Sequence, residues 1–252
     1  MDKAPRSSVE SPSAAGLLAM SGTDGAELQL SARAQSRADA VASTDLADLA
    51  ATLMQSRQTI LPKRLMEPGP DAAQLAHILG AAASAPDHGQ ILPWRFVRVP
   101  QDVRPLLAEE FAAALLERDA QALPDQVSQA REKAFRSPCL LLLVVDAERG
   151  DPEVDLAERL LSAGCAVQNM LLMATALGFA SALTSGKALK AEGLRRLFSL
   201  TGADHALCFI SLGTAMGSRP GRIRPRTADF VSHLTPEQGV QRGFGIPELD
   251  TP

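Results

Sequence analysis

The spacing of apolar residues predicts a chain of helices separated by short strands. Between Thr44 and Gln58, three leucines and a methionine recur at the period of an amphipathic helix, and Thr44 is placed to cap it. Helical spacing also covers five later segments: Asp71 to about Ser84 with Asp71 as the cap, 102–119, 124–136, Glu153–Leu177 and 187–200.

Strands are predicted at Trp94–Val99, within 178–186, and over two longer apolar runs, CLLLLVVD (139–146) and ALCFISLGT (206–214). An uninterrupted apolar run of this length is typical of a strand buried on both faces of a sheet. The order of helices and strands therefore predicts an α+β fold or a three-layer α/β fold.

The helix predicted over Glu153–Leu177 is apolar almost all round in its second half, CAVQNMLLMATALG. Such a helix is buried on all sides. In a chain of this size, the pattern indicates either the centre of the domain or a dimer interface.

Composition sets the expected limits of the ordered part. Residues 1–43 are rich in alanine, serine, glycine and charge, without sustained periodicity, and are expected to form a disordered tail. One domain is expected over 44–235. An irregular arginine-, glycine- and proline-rich arm ends it, and a flexible tail is expected over 236–252.

Charge and cysteine usage exclude several function classes. The net charge is −4, whereas nucleic-acid-binding proteins usually carry a basic excess. The apolar run 160–179 is interrupted by serine, glutamine, asparagine and threonine, which favours a buried helix over a membrane span. The three cysteines lack metal-ligand spacing, and no secretory signal is visible, so a cytoplasmic protein is expected.

Familiar catalytic motifs are missing from the sequence. It contains no phosphate loop, no dinucleotide-binding glycine motif, no zinc-protease motif and no nucleophile elbow. Four polar clusters at the ends of predicted elements remain. They are Arg57-Gln58-Thr59, the stretch APDHGQILPWRFV (85–97), Thr184-Ser185-Gly186, and the basic arm with Arg222, Arg224 and Arg226. A guanidinium beside a hydroxyl, as at Arg57 and Thr59, suits a phosphate monoester.

The segments SRQT, AASAPDHGQILPWRF, AGCAVQNMLLMATALGFASALTSG and FISLGT, taken in this order and spacing, resemble the FMN-dependent nitroreductase family. The resemblance runs from about Leu46 to His233 and is strongest to the short bacterial branch of NAD(P)H nitroreductases. It implies an α+β fold with three layers, α/β/α, in which helices flank a mixed sheet and one long central helix is buried. It also implies an intertwined homodimer with FMN sites at the subunit interface.

The resemblance also assigns roles to individual residues. In the family, an Arg-Arg-Ser motif binds the FMN phosphate and ribityl chain; here the positions hold Arg57, Gln58 and Thr59. The APDH stretch of such proteins reaches the partner's flavin. The remaining positions that the resemblance implies for FMN binding are Ser84, His88, Gln90, Leu183, Thr184, Ser185 and Arg226, with Arg224 as an alternative to Arg226.

The implied function is reduction of nitroaromatic, quinone or similar small acceptors by ping-pong hydride transfer from NADH or NADPH through the flavin. No catalytic side chain and no metal are implied. Two alternatives stay open. One is a specialised relative that carries out dehalogenation, flavin fragmentation or azoline oxidation. The other is a flavin-binding or interaction protein with little turnover. It would suit Gln58, Leu183 and Thr184, which stand where the family often has a basic residue, a tryptophan and an arginine.

Overall fold

The computed structural model of the protein describes residues 44–217 and 223–246. The chain divides into two compact units, Met1–Ala51 and Thr52–Pro252. Helix α1 covers residues 44–56 of the described chain, and the elements that follow all belong to the second unit. The tail expected over 1–43 lies outside the described residues.

The later helices are α2 (Ala72–Ala82), α3 (Arg104–Arg118), α4 (Pro124–Glu132), α5 (Leu156–Ala176) and α6 (Glu192–Leu197). The strands are β1 (Leu65–Met66), β2 (Trp94–Arg98), β3 (Cys139–Asp146), β4 (Ala180–Thr184), β5 (Asp204–Ala215), β6 (Ser232–Thr235) and β7 (Gly239–Arg242).

Helix α2 begins where the sequence predicts. The Asp71 carboxylate accepts a hydrogen bond from the Gln74 backbone N–H at 2.8 Å, and the Gln74 side chain accepts one from the Asp71 N–H at 3.0 Å. This reciprocal arrangement satisfies two donors that a helix start otherwise leaves unpaired.

One five-stranded sheet organises the domain. Its order is β1-β5-β3-β2, and β4 also pairs with β5. The named strands pair antiparallel, and the parallel contribution among the described residues is the bridge between Thr59 and Ser181. This bridge places the segment after α1 alongside β4.

Helices cover both faces of the sheet, which confirms the predicted three layers. Side chains of β3 alternate between two cores, because successive residues of a strand point to opposite faces. Leu141, Leu143 and Val145 join the core under α2 and α5. The three apolar even-numbered residues of β3, such as Leu142, join the core under α3 and α6 with Leu107 and several other apolar residues.

Helix α5 differs from the prediction on one face. Met170 and other residues of its inner side are fully buried. Its outer side presents Ala157, Leu161, Gly164 and Gln168, all exposed, and Leu161 is 71% exposed. The apolar sequence of α5 therefore belongs to a helix that is buried on its inner face and exposed on its outer face in a single chain.

Secondary structure extends past the predicted end of the domain. Strands β6 and β7 form an antiparallel hairpin, and β7 lies in the segment expected as tail. The pattern did not predict this hairpin because its apolar side chains, Leu234 and Val240, are exposed. Among the described residues, no helix is both long and apolar enough to cross a bilayer.

Candidate functional site

A pocket of about 620 Å³ opens at the C-terminal end of β4. It lies on the side of the sheet covered by α3, because core residues of that side form its floor, among them Phe209 and Leu140. Phe111 of α3 packs edge-on against Phe209 with ring centroids 5.6 Å apart. Thr184, Ser185 and Gly186 form the rim. The volume is in the range of small-molecule sites.

Five cationic side chains also line this pocket: Lys63, Arg118, Lys133, Arg136 and Lys187. None of its lining residues is acidic. None of the five cations forms an ion pair or a side-chain hydrogen bond with another residue that the structure describes. Arg131, two residues from Lys133, is instead held by both oxygens of Glu109 at 2.8 and 2.9 Å. The pocket is therefore electropositive, although the whole chain carries a net negative charge.

The segment after α1 runs along the outer edge of β4 toward this pocket. The Ile60 N–H donates to the Ser181 carbonyl at 3.0 Å, next to the Thr59–Ser181 bridge. Arg57 lies at the start of this edge and its guanidinium is 3.4 Å from the Thr59 hydroxyl. Lys63 lies near the other end, where it lines the pocket. The first and third sequence clusters therefore share one strand edge.

The C-terminal arm meets the same region. Arg224 donates to the backbone carbonyls of Arg57 at 2.9 Å and Gln55 at 3.4 Å, where α1 ends. A cation at a helix C-terminus also offsets the helix dipole. Arg226 is 3.3 Å from the carboxylate of Asp229. Arg222 lies outside the described residues.

The second sequence cluster is elsewhere in the chain. Ser84, His88 and Gln90 lie in the exposed turn between α2 and β2, on the side of the sheet covered by α2 and α5. The pocket lies on the opposite side, and none of these three residues lines it. One chain therefore does not bring the two groups of predicted residues together.

The turn that carries His88 has an unusual backbone. Gly89, Gln90 and Leu92 all have positive φ, at 68°, 53° and 47°. Such values are rare for a leucine and mark positions held by their surroundings. The Asp87 carboxylate contributes by accepting the Leu92 N–H at 2.7 Å. Its second oxygen is buried without a hydrogen-bond partner among the described residues.

His88 and Trp94 have different environments within this stretch. His88 Nδ1 is 2.6 Å from the Glu158 carboxylate of α5, and this hydrogen bond is the main cause that raises the pKa of His88. Both side chains are exposed. Trp94 is 8% exposed, and its indole N–H donates to the Ser162 hydroxyl at 3.0 Å. Trp94 is thus a core anchor, whereas His88 is presented at the surface.

Sequence reasoning missed the five pocket cations. They are spread over more than a hundred residues between Lys63 and Lys187 and share no motif. Only the fold brings the turn after α1, the ends of α3 and α4, and the segment after β4 to one opening.

A model of the nitroreductase family matches residues 55–214, which is more than half of the chain. The chain belongs to the nitroreductase family. This membership confirms the resemblance drawn from the sequence motifs and makes the chain an oxidoreductase. The match begins within α1 and ends in β5, so it spans both the β4 pocket and the His88 turn.

Two nitroreductase relatives are similar over most of their length. The "Putative NAD(P)H nitroreductase" of Haemophilus influenzae is 32% identical over 186 residues, which are 73% of this chain and 99% of the relative. The "Putative NAD(P)H nitroreductase YdjA" of Escherichia coli K12 is 35% identical over 174 residues, 68% of this chain and 92% of the relative.

Solved structures share the fold at lower identity. A nitroreductase-like family protein from Bacillus cereus has a TM-score of 0.62 at 15% identity, covering 72% of this chain and 93% of its own. A nitroreductase with bound FMN from Desulfitobacterium hafniense has a TM-score of 0.54 at 20% identity, covering 73% and 97%. These matches confirm the nitroreductase-like fold.

Proposed function

We propose that this protein is an FMN-dependent oxidoreductase that uses NADH or NADPH to reduce nitroaromatic, quinone or similar small acceptors. The observation that carries the proposal is the electropositive pocket at the end of β4, within a chain of the nitroreductase family. The names of the two relatives and the FMN in the Desulfitobacterium structure support the choice of cofactor and reductant.

The residues of this site fit FMN in their chemistry. Thr184 and Ser185 offer hydroxyls and backbone groups at the rim, and Gly186 has open space where a Cβ would stand, so a ring can approach the backbone closely. Arg57 and Thr59, on the same strand edge, supply a guanidinium and a hydroxyl for a phosphate, with Gln58 between them. FMN, when bound, supplies the hydride-transfer chemistry.

Lys63 and Lys187 flank that rim and are without anionic partners among the described residues. Their positive charge stabilises negative charge that develops on a bound electron carrier. No described side chain is required as a general acid, because an open pocket admits solvent protons. The proposed contribution of the chain is therefore to bind and orient the FMN and to stabilise the negative charge that develops on it.

The proposed assembly is a homodimer. Ser84, His88 and Gln90 lie on the opposite side of the sheet from the pocket, so a second copy is needed to bring the two groups of residues to one flavin. The uncovered outer face of α5, with Leu161 at its centre, is an apolar surface suited to such a contact. Arg224 then serves to fix the end of α1, and Arg226 is the remaining arm cation proposed for the phosphate.

The test is an anaerobic titration of the purified protein with FMN, followed by NADH or NADPH. We expect a yellow complex whose absorbance near 450 nm is bleached by at least one nicotinamide and restored by an added quinone. A protein that takes up no FMN contradicts the proposal. Tight FMN binding without bleaching by either nicotinamide supports instead a flavin-binding protein with little turnover.

A further inference from the structure

We infer that the acceptor reduced at this site is an aromatic anion, such as an aryl carboxylate or sulfonate. The inference rests on the proposed function and concerns the wall of the pocket opposite the β4 rim. Three of the five cations belong to this wall: Arg118 at the end of α3, Lys133 directly after α4, and Arg136 in the turn that leads to β3.

These three cations are available to a ligand. None of them forms an ion pair with an acidic side chain among the described residues. The neighbouring Arg131, in contrast, forms an ion pair with Glu109. Bringing several unpaired like charges to one concave surface costs free energy through mutual repulsion. Because the chain has a net charge of −4, an overall excess of basic residues does not explain this cluster of cations. An anionic ligand would offset that repulsion.

The floor of the pocket specifies the rest of the ligand. Phe111, Leu115 and Phe209 present apolar surface between the cationic wall and the rim. Such a surface favours a flat, apolar ring, and a guanidinium or ammonium at its edge favours a carboxylate or sulfonate on that ring. A small aromatic anion satisfies both, whereas an aliphatic anion leaves the floor unused.

The reaction is balanced without any further reagent. In each turnover with a nitro acceptor such as 4-nitrobenzoate, NAD(P)H gives up a hydride, which is two electrons and one proton, and the medium supplies one further proton. These two electrons and two protons convert the nitro group to a nitroso group and water. NAD(P)H is oxidised to NAD(P)⁺, and the carboxylate is unchanged because it serves recognition only.

The experiment compares 4-nitrobenzoate with 4-nitrobenzamide, a neutral acceptor of nearly the same shape, on the FMN-loaded protein. The measured quantity is the ratio of kcat/KM for the anion to that for the amide. We expect Lys133→Gln and Arg136→Gln each to lower this ratio by about fivefold or more, because each removes one charge facing the ligand. Differences in the intrinsic reactivity of the two acceptors cancel between variants.

Arg131→Gln is the matched control. It removes the same charge from the same region, but Arg131 does not line the pocket and is already bound to Glu109. We expect its ratio of the two kcat/KM values to stay within about twofold of that of the unaltered protein. In the unaltered protein, we expect the preference for the anion to fall as salt is added.

Unchanged ratios in both pocket variants overturn the inference while leaving the proposed function intact. A changed preference between NADPH and NADH, with an unchanged acceptor ratio, also overturns it and assigns the cations to the co-substrate's phosphate. If FMN does not bind, the proposed function fails, and reduction of an aromatic anion at this site fails with it. Calorimetric titration with the two acceptors then decides whether the pocket recognises an aromatic anion. Selective binding of 4-nitrobenzoate that Lys133→Gln weakens supports that recognition, and equal binding of both acceptors refutes it.

Discussion

Two residues six positions apart show how differently single side chains serve this fold. Trp94 is buried against α5, and its N–H has a partner in Ser162. His88 is exposed, and its Nδ1 is 2.6 Å from the carboxylate of Glu158 on α5. The sequence placed both in one stretch, and the family resemblance implied a flavin contact at His88. Neither could reveal the two partners, Glu158 and Ser162, which lie about seventy residues further along the chain.

Substitution of these two residues is therefore expected to have opposite consequences. Trp94→Ala removes a buried ring and leaves a cavity, and we expect the free energy of unfolding to fall by about 3–5 kcal/mol. His88→Ala removes an exposed side chain, so stability is expected to change little, whereas FMN affinity or the rate of flavin reduction is expected to fall. Urea unfolding and FMN fluorescence titration measure the two effects.

Trp94→Phe provides an internal comparison because it keeps an aromatic ring and removes the hydrogen bond to Ser162, for an expected loss of about 1–3 kcal/mol. Flavin affinity and reduction rate that are both unchanged in His88→Ala would show that this turn does not serve the flavin.

At the scale of elements, the sequence was most informative where burial is complete. Strand β3 has the predicted bounds because both of its faces are covered, and α2 begins at the predicted cap. Prediction was poorer where apolar side chains are exposed in the single chain. The apolar outer face of α5 looks in sequence like a buried face, and the exposed hairpin β6–β7 looks like a tail.

The pocket wall depends on a buried residue that no pattern singled out. Arg104 of α3 is 1% exposed and donates to the backbone carbonyls of Ala134 at 3.1 Å, Ser137 at 2.6 Å and Pro138 at 3.0 Å. Burial lowers the pKa of its guanidinium. These carbonyls alternate with the pocket cations along the segment 133–138, so Arg104 fixes the backbone that carries Lys133 and Arg136.

We predict that Arg104→Leu destabilises the fold by about 3 kcal/mol or more, because it leaves several buried carbonyls without donors. Chemical unfolding measures the loss. Hydrogen exchange is expected to increase in the segment 133–138 before it increases in β3. Arg131→Leu, on the exposed side of α4, is the control and is expected to leave both measurements near those of the unaltered protein. Equal stability of Arg104→Leu would show that these hydrogen bonds are dispensable.

At the scale of the whole molecule, the candidate site is divided. The β4 pocket lies on one side of the sheet, the segment after Arg57 runs along the outer edge of β4, and the His88 turn lies on the other side of the sheet. Family resemblance predicted both groups of residues, because their motifs are local in sequence. Their separation depends on which helices cover which face of the sheet, and the sequence pattern does not specify that arrangement.

The divided candidate site makes the proposed dimer testable through α5. Leu161 is 71% exposed and lies one turn from Gly164, so a neighbouring chain could approach closely there. We predict that Leu161→Arg produces a monomer, since it places an unpaired charge in an apolar contact. The monomer is expected to bind FMN more weakly, because each flavin would lose the His88 turn of the other copy. Sedimentation velocity and FMN titration measure these two changes.

Leu106→Arg supplies the matched control. Leu106 is an exposed leucine on α3, 58% exposed, and it does not line the pocket. The same charge there is expected to alter neither the oligomeric state nor FMN affinity. A Leu161→Arg protein that stays dimeric would place the interface elsewhere. A monomer that retains full FMN affinity would show that one chain's β4 edge suffices for the flavin and that the His88 turn has another role.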